Sequence, residues 1–249
     1  MEDLLSQDRF LDGKISVRQP KRGFRFTIDA PLLADFIPPD PGRRLLEIGS
    51  GCGIISLILA RSRATEFIVA LEIQRIMVEA LRRNVQENRL TERVFPLRGD
   101  FRTPPLRPLF DGIFANPPYG RLGEGKVSSD PGEAAARFEL LLDAPTLLQN
   151  AAGLLLPQGR LWLIYPARRG EEIKETALSK GLHPRRKRLI LRSPSHPHPL
   201  FSLWEFSLQE GSCLREKVIL HEDDGPYTPE GGAGLRGEGV SYSADRQGV

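Results

Sequence analysis

Apolar positions along this chain follow two rhythms that alternate. Short apolar or β-branched runs predict strands at 44–48 (RLLEI), 66–73 (EFIVALEI), 93–99 (RVFPLRG), 110–117 (FDGIFANP) and 160–166 (RLWLIYP). Stretches apolar at helical spacing lie between them, at 53–62, 74–89, around 133–152 and 171–181, the last closed by Gly181. In 74–89, Ile76, Ala80, Leu81 and Val85 share one predicted face, and in 133–152 the signal is carried by Leu140, Leu141, Leu147 and Leu148. Pro96 cannot donate to a ladder, so it puts the 93–99 strand at a sheet edge. Two further runs, RKRLILR (186–192) and LFSLWEFSL (200–208), are close enough to pair antiparallel. Before all of these, ISVRQP and FRFT are short strand candidates, and 29–37 (DAPLLADFI) predicts a helix that Asp29 can cap, with Pro31 in its first turn.

Repeated strand–helix units imply a parallel sheet covered by helices on both faces. The expected fold is therefore α/β and Rossmann-like, with a mainly parallel seven-stranded sheet that ends in an antiparallel pair. Three segments are expected: a lead-in and short helix at 1–40, the α/β domain at 41–221, and an acidic, Gly-rich tail at 222–249 that is expected to be disordered, at least beyond Glu230.

Hydrophobic residues make up 40% of the 249, enough for a sizeable core. No run of about 18 apolar residues occurs, so no membrane span is expected. The acidic, polar start (MEDLLSQDRF) is unlike a secretory signal, and Cys52 and Cys213 have no metal-type spacing. A reduced, cytoplasmic protein is the simplest reading. The net charge of +3 is unevenly spread, because 222–249 holds six acidic residues against two arginines. The basic remainder suits a polyanionic partner such as nucleic acid, as it also suits many soluble proteins without one. Arg185, Arg186, Lys187, Arg188 and Arg192 can meet phosphates or can form a solvated sheet edge. His183, His196 and His198 lack ligand spacing, so no metal is expected.

The chemistry starts after the first core strand, at Glu47-Ile48-Gly49-Ser50-Gly51-Cys52-Gly53. Glycines there allow a tight turn and let backbone N–H groups approach a ligand, and the helix that follows aims its positive end at the loop. Ile54 stands where a dinucleotide fingerprint would have its third glycine. E-x-G-x-G-x-G instead resembles motif I of class I S-adenosylmethionine methyltransferases. A plain tight turn and a nicotinamide or flavin site are the alternatives. Glu72, with Ile73 beside it, ends the second core strand, where a carboxylate can accept both hydroxyls of a ribose. By the same resemblance, Asp100 would accept from the cofactor's adenine amino group and Phe101 would lie against its ring. A turn aspartate and a core phenylalanine explain those two residues as well.

The fourth strand ends in Asn116-Pro117-Pro118-Tyr119. An amide or arylamine nitrogen is a weak nucleophile because its lone pair is delocalised. Accepting hydrogen bonds from both of its N–H groups frees that pair toward a methyl group. The Asn116 side-chain oxygen and the Pro117 carbonyl can be the two acceptors, so Asn116 borders both cofactor and methyl acceptor. Pro117 and Pro118 stiffen the turn, and Tyr119 offers a flat face for a base. A base within a stem must first swing out to reach such a pocket. The tetrapeptide resembles motif IV of the N6-adenine, N4-cytosine and glutamine-amide methyltransferases.

Three more stretches narrow the resemblance: Gln19-Pro20-Lys21-Arg22-Gly23-Phe24-Arg25-Phe26-Thr27-Ile28-Asp29-Ala30-Pro31-Leu32-Leu33-Ala34, Leu71-Glu72-Ile73-Gln74 with Arg82, Arg83 and Asn84, and Tyr227-Thr228-Pro229-Glu230. Together they resemble the tRNA1(Val) (adenine(37)-N6)-methyltransferase family over roughly residues 10–230. The resemblance implies a class I methyltransferase fold, S-adenosylmethionine as cofactor and a tRNA adenine near the anticodon as acceptor. It also implies that Asp29 sits near the cofactor, against the capping role above. The chain departs from the family pattern after Tyr119, where Arg137-Phe138-Glu139 stand in place of Arg-His-Glu. His198, Phe201 and Trp204 are placed at the rim opposite the acceptor. The alternatives are a protein glutamine N5-methyltransferase, a DNA adenine methyltransferase or a non-enzymatic RNA-binding assembly factor. Only about 40 residues precede the core here, and no target-recognition domain is visible. Oligomeric state, monomer or homodimer, is left open.

Overall fold

A computed structural model describes residues 5–10, 13–21, 25–119, 142–223 and 225–236. In chain order the elements are β1 (Leu5–Phe10), β2 (Ile15–Pro20), α1 (Asp29–Phe36), β3 (Arg44–Ile48), α2 (Ile54–Ser62), β4 (Phe67–Glu72), α3 (Arg75–Glu87), β5 (Val94–Arg98) and β6 (Phe110–Ala115). They continue with α4 (Ala144–Leu154), β7 (Leu155–Pro166), α5 (Gly170–Ser179), β8 (His183–Leu191), β9 (Phe201–Ser207), β10 (Leu214–Ile219) and α6 (Pro229–Arg236).

Eight strands form the main sheet in the order β10-β8-β9-β7-β6-β3-β4-β5. β9 runs antiparallel to both neighbours and every other pairing is parallel. Seven strands were expected; the eighth is β10, whose LREKVI lacks the apolar run of a buried strand because it lies at an edge and is largely exposed. β5, with Pro96, is the opposite edge, as its proline requires. β3 is central: from it the chain steps outward through β4 and β5, then returns to β6 on the other side. The order therefore reverses between β3 and β6, and ligands of open α/β sheets gather above the strand ends at such a point.

Register sets what meets there. Ile48 pairs with Leu71 on one side and Ala115 on the other, and Glu72 pairs with Arg98. The next residues, Gly49, Asn116 and Gly99, leave the sheet at one end. Gly112 is what lets β6 lie this close: a Cβ there would meet Trp162 at 2.5 Å and Leu45 at 2.7 Å.

The α3 face differs from the sequence reading. Met77, Val78, Ala80, Leu81, Asn84 and Val85 are buried, whereas Ile76 is exposed. The buried stripe is centred one residue later because it includes Asn84, and the buried Asn88 just past the helix continues it. Asn84 Oδ1 accepts from Arg18 N at 2.6 Å while its Nδ2 donates to the carbonyls of Arg18 (2.9 Å) and Cys52 (2.8 Å). One turn on, Asn88 Oδ1 accepts from Ser16 N at 3.1 Å. These amides act as a surrogate strand for β2, satisfying backbone groups that would otherwise be buried unpaired. They fix the β1–β2 hairpin, paired from Leu5↔Pro20 to Phe10↔Ile15, against the body. Arg25, Phe26 and Thr27 of the second strand candidate are irregular.

Within the segment from 222 on, expected to be disordered at least beyond Glu230, the described residues include a turn and a short helix that ends at Arg236. His221 bridges to Tyr227, Thr228 donates to the Ile219 carbonyl at 2.6 Å, and α6 packs on α1 and β10. The Tyr227-Thr228-Pro229-Glu230 stretch closes this turn. The expectations for 120–139, for Leu140 and Leu141, and for the chain past 236 lie outside the described residues.

The basic run is not a sheet edge, since β8 lies between β9 and β10. Arg188 is buried and paired with Asp35 (2.8 Å) and Glu216 (2.6 Å). Arg186 pairs with Glu205 at 3.1 Å and lies over the Phe36 ring, while Lys187 pairs with Glu171 at 3.0 Å. Carboxylates from α1, α5, β9 and β10 thus engage Arg186, Lys187 and Arg188, three of the five residues read as able either to meet phosphates or to form a solvated edge. Among the described residues, no helix is long and apolar enough to cross a membrane.

Candidate active site

The three loops at the switch point enclose a cleft of about 810 Å³, its open mouth included. Its lining includes Gly49, Gly51, Glu72, Ile73, Asp100, Phe101, Asn116, Pro117 and Pro118. A second cavity adjoins it, lined by Gln19, Phe26, Glu47, Ser50 and Cys52 among others, and it shares Gly49, Gly51, Met77 and Asn116 with the first. Asn116 thus opens onto the same space as the glycine loop.

The loop glycines divide into two jobs. Gly49 and Gly51 have φ of +64° and +55°, and a Cβ at either would find no atom within 4 Å. The room beside them is room for a ligand. Gly53 (φ +85°) lines neither cavity; a Cβ there would strike Leu81 Cδ1 at 2.1 Å, so its role is helix packing. Ser50 N donates to the Leu71 carbonyl at 3.0 Å, which ties the loop to β4.

Two buried carboxyls hold this loop. Glu47 accepts from the Ser56 hydroxyl and from Ser56 N (3.2 Å), which joins β3 to the first turn of α2. Burial pushes its pKa up to about 8 against those hydrogen bonds. Glu72 accepts from Gly51 N at 2.9 Å and Gln74 N at 2.8 Å. Burial raises its pKa, and the backbone donors pull the other way. A carboxylate has about four acceptor positions, so both oxygens keep lone pairs for two ribose hydroxyls. Burial also pushes the Cys52 thiol up to about 12, which keeps it protonated.

At the adenine corner, Phe101 is buried and walls the cleft. Asp100 also lines it, but Arg102 engages both of its oxygens, at 2.9 Å and 2.6 Å on Oδ2 and 2.8 Å from its backbone to Oδ1. The Arg102 side chain holds the Asp100 carboxyl below the usual range.

At the acceptor turn, Asn116, Pro117 and Pro118 face the first cavity, but Tyr119 lines neither. Its ring sits 5.8 Å from Tyr165 and 6.2 Å from Phe201, centroid to centroid. Its hydroxyl donates toward Asp29 Oδ2 at 2.9 Å and toward Asn116 Oδ1. Asp29 is therefore not the helix cap; Ile28 holds that position, and the carboxylate is spent on Tyr119, Thr27 and Ala30 N. Arg169, buried beside Tyr165, donates to the Tyr119 carbonyl at 3.0 Å and pairs with Glu172. Of the expected rim, Phe201 reaches Tyr119 and His198 is exposed. Trp204 is buried and stacked on Phe206 at 5.6 Å, because alternation along β9 turns it to the face opposite Phe201. Gln19, Met77 and Arg169 were not anticipated at the site. Gln19 was noted only within a longer stretch, and nothing local marks a residue on a separate hairpin as a wall of a distant cavity.

A Rossmann-like sheet with a ligand-sized cleft, acidic strand ends and an amide beside the glycine turn defines the class of S-adenosylmethionine-dependent methyltransferases. Comparison with known proteins agrees. The family model for the methyltransferase small domain matches residues 25–180, and the chain belongs to that family. A Tolumonas auensis protein named tRNA1(Val) (adenine(37)-N6)-methyltransferase is 31% identical over 216 residues, covering 86% of this chain and 89% of its own. A Bacteroides fragilis protein of the same name is 28% identical over 229 residues, covering 91% and 95%. Among solved structures, a predicted O-methyltransferase from Agrobacterium tumefaciens shares the fold with a TM-score of 0.69 at 20% identity, over 86% of this chain and 98% of that one. So does M. jannaschii TYW2 in complex with AdoMet, at 0.56 and 15%, over 82% and 86%.

Proposed function

We propose that this methyltransferase modifies N6 of an adenine in tRNA, near the anticodon. The observation that carries the reading is the register of β3 and β6, which sets Asn116 beside Gly49 and gives both one cavity. The names of the relatives support the tRNA adenine acceptor over other planar NH2 groups. The sequence as a whole is basic, with a pI near 9.0, which is compatible with RNA.

S-adenosylmethionine, when bound, supplies the methyl group on a sulfonium that is a good leaving group. Glu72, with Ile73 at its side, would hold the ribose, Phe101 and Asp100 the adenine, and Gly49, Ser50 and Gly51 the part beyond the ribose. Glu47 and Gly53 support that loop, Glu47 by bonding Ser56 and Gly53 by admitting Leu81. Asn116 Oδ1 and the Pro117 carbonyl accept from the two N–H groups of the incoming amine, so that its lone pair points along the line of transfer. Pro117 and Pro118 reduce the freedom of that turn. Tyr119 positions Asn116 through its hydroxyl. No strong base is needed, because the departing group would be a neutral thioether and positioning supplies most of the rate; the methylated nitrogen would then lose one N–H proton to water. We take residues 41–221 as the catalytic unit, with the N-terminal segment and α6 packed on it, working in the cytoplasm where its tRNA is.

Incubation with methyl-labelled cofactor and total tRNA, followed by nucleoside analysis, tests the reading. Label should appear in N6-methyladenosine. Label confined to protein would move the acceptor to a glutamine amide, and no label in either would leave the turn without this role.

A further inference from the structure

Arg169 has no part in the transfer chemistry, yet it is a cation buried beside the acceptor turn, only 4% exposed. It occupies the N-cap of α5, the end of a helix where the backbone dipole disfavours positive charge. Glu171 and Glu172 in the first turn offset that cost, and Glu172 accepts from two of the guanidinium nitrogens, at 2.9 Å and 3.1 Å. Gly170 keeps the helix start close to β9, since a Cβ there would meet Ser202 Oγ at 3.0 Å. The position is therefore fixed, and burying a cation at the unfavourable end of a helix calls for a cause outside that helix.

The acceptor turn supplies one. Pro117 and Pro118 have no N–H, so the turn is short of donors for its own carbonyls. The Tyr119 carbonyl takes its hydrogen bond from Arg169 Nη1 at 3.0 Å. The same guanidinium lies 5.3 Å over the Tyr165 ring, and the Tyr165 and Tyr119 rings are 5.8 Å apart. Arg169 thus meets Tyr119 through its backbone and, by way of Tyr165, through its ring. From there the Tyr119 hydroxyl reaches Asn116 Oδ1, the atom that receives the amine. A planar guanidinium can give two nitrogens to a carboxylate and keep a third for a carbonyl; a lysine ammonium is a single point and cannot hold that geometry.

We infer that Arg169 is a positioning residue for methyl transfer: it clamps the Tyr119 backbone and so sets the Asn116 amide in line for the incoming amine. It acts through Tyr119 and not on the reacting atoms, so its loss should slow the reaction and spare the binding of both partners. The inference rests on the reading of this turn as the acceptor site for a tRNA adenine, and it adds to that site a residue fifty positions later in the chain.

Two variants of the full chain test it. Arg169→Met keeps an apolar stem and removes the donors; the Glu172 side chain is 36% exposed, so water can take over its solvation. Its kcat on total tRNA should fall by about tenfold or more, the effect of one charge-assisted hydrogen bond, with KM and calorimetric affinity for S-adenosylhomocysteine each within about twofold of wild type. An unchanged kcat overturns the assignment. So does a matching loss of S-adenosylhomocysteine affinity, which is what an arginine that merely supports the fold would cause. Arg169→Lys keeps the charge without the fork and should lose kcat severalfold with the same split; it decides alone should Arg169→Met fail to fold, and a wild-type kcat in it overturns the assignment. The contact itself is read without turnover, by NMR of protein isotope-labelled at its tyrosine carbonyls, with the Tyr119 signal assigned through Tyr119→Phe. In either Arg169 variant that signal should move more than any other tyrosine signal, and an unmoved one overturns the inference. Wild-type protein that methylates no tRNA removes the proposed acceptor, and the carbonyl signal then decides this inference by itself.

Discussion

The hydroxyl of Tyr119 lies 2.9 Å from Asp29 Oδ2 and also reaches Asn116 Oδ1, so one proton faces two acceptors. Burial and the neighbouring Asp29 push the Tyr119 pKa well above that of an ordinary phenol, so the group stays a donor. An amine that arrives at Asn116 Oδ1 competes with this hydroxyl, and Asp29 gives it somewhere to turn.

Asn116→Ala should lower kcat by about 100-fold, as for loss of a transition-state hydrogen-bond partner. Tyr119→Phe should cost about tenfold, the effect of one hydrogen bond. Asp29→Ala should slow transfer in the wild-type background and add little to Tyr119→Phe, because both changes remove the same contact. Single-turnover rates for wild type, the three single variants and the double variant check this; fully additive losses of the Asp29 and Tyr119 changes would mean that Asp29 acts by another route.

The loop glycines should fail in different ways. Gly53→Ala combines a left-handed backbone with a clash on Leu81 and should lose about 2–4 kcal/mol in urea denaturation. Gly49→Ala meets no neighbour and should lose about 1–2 kcal/mol for its backbone alone. Its methyl group stands in the cavity, so binding of S-adenosylhomocysteine should fall by about tenfold or more. A Gly49→Ala protein with normal affinity would show that the ligand does not pass that residue.

Glu47 ties stability to pH. An ordinary glutamate ionises near 4.5 and Glu47 in the folded chain near 8. Across that window the unfolded chain has released a proton that the folded chain keeps. Stability therefore falls as pH rises from about 4.5 to about 8 and levels off above. Glu47→Gln keeps an acceptor for Ser56 and removes the penalty. Denaturation of cofactor-free protein should show little difference between the two at pH 4 and a widening advantage for the variant up to pH 8. A constant difference across the range would deny the carboxyl this titration.

Arg188→Met should destabilise the chain by about 3–5 kcal/mol, since it removes the buried cation that Asp35 and Glu216 share. Arg185→Ala, at a half-buried position where the side chain bonds the Glu210 carbonyl, should change stability little. Chemical denaturation separates them, and a neutral Arg188→Met would mean that the network is dispensable.

The alternating βα pattern, the glycine loop and the acceptor turn were legible because each depends on neighbours in sequence. The edge role of β5 followed from one proline, and the β8–β9 pair from a short connection. What escaped depends on distant partners. β10 could be read only by knowing that β8 needs a neighbour, and the buried charges of β8 only by knowing that Asp35 and Glu216 reach them. Asn84 and Asn88 look polar in sequence, yet they lie inward because β2 presents bare backbone to them. Tyr119 was expected to face a base; its hydroxyl is instead drawn to Asp29, ninety positions earlier.

The pairing of Ile48 with Ala115 makes alignment of the reacting groups a matter of counting. Shifting β6 by a single position would turn every one of its side chains to the opposite face and carry Asn116 away from the glycine turn. Gly112, wedged against Trp162 and Leu45, resists that slippage from the middle of the strand. Precision at the reaction centre is thus stored several residues away, in a ladder that takes no part in the chemistry, and a mutation there can silence the enzyme with every functional group intact.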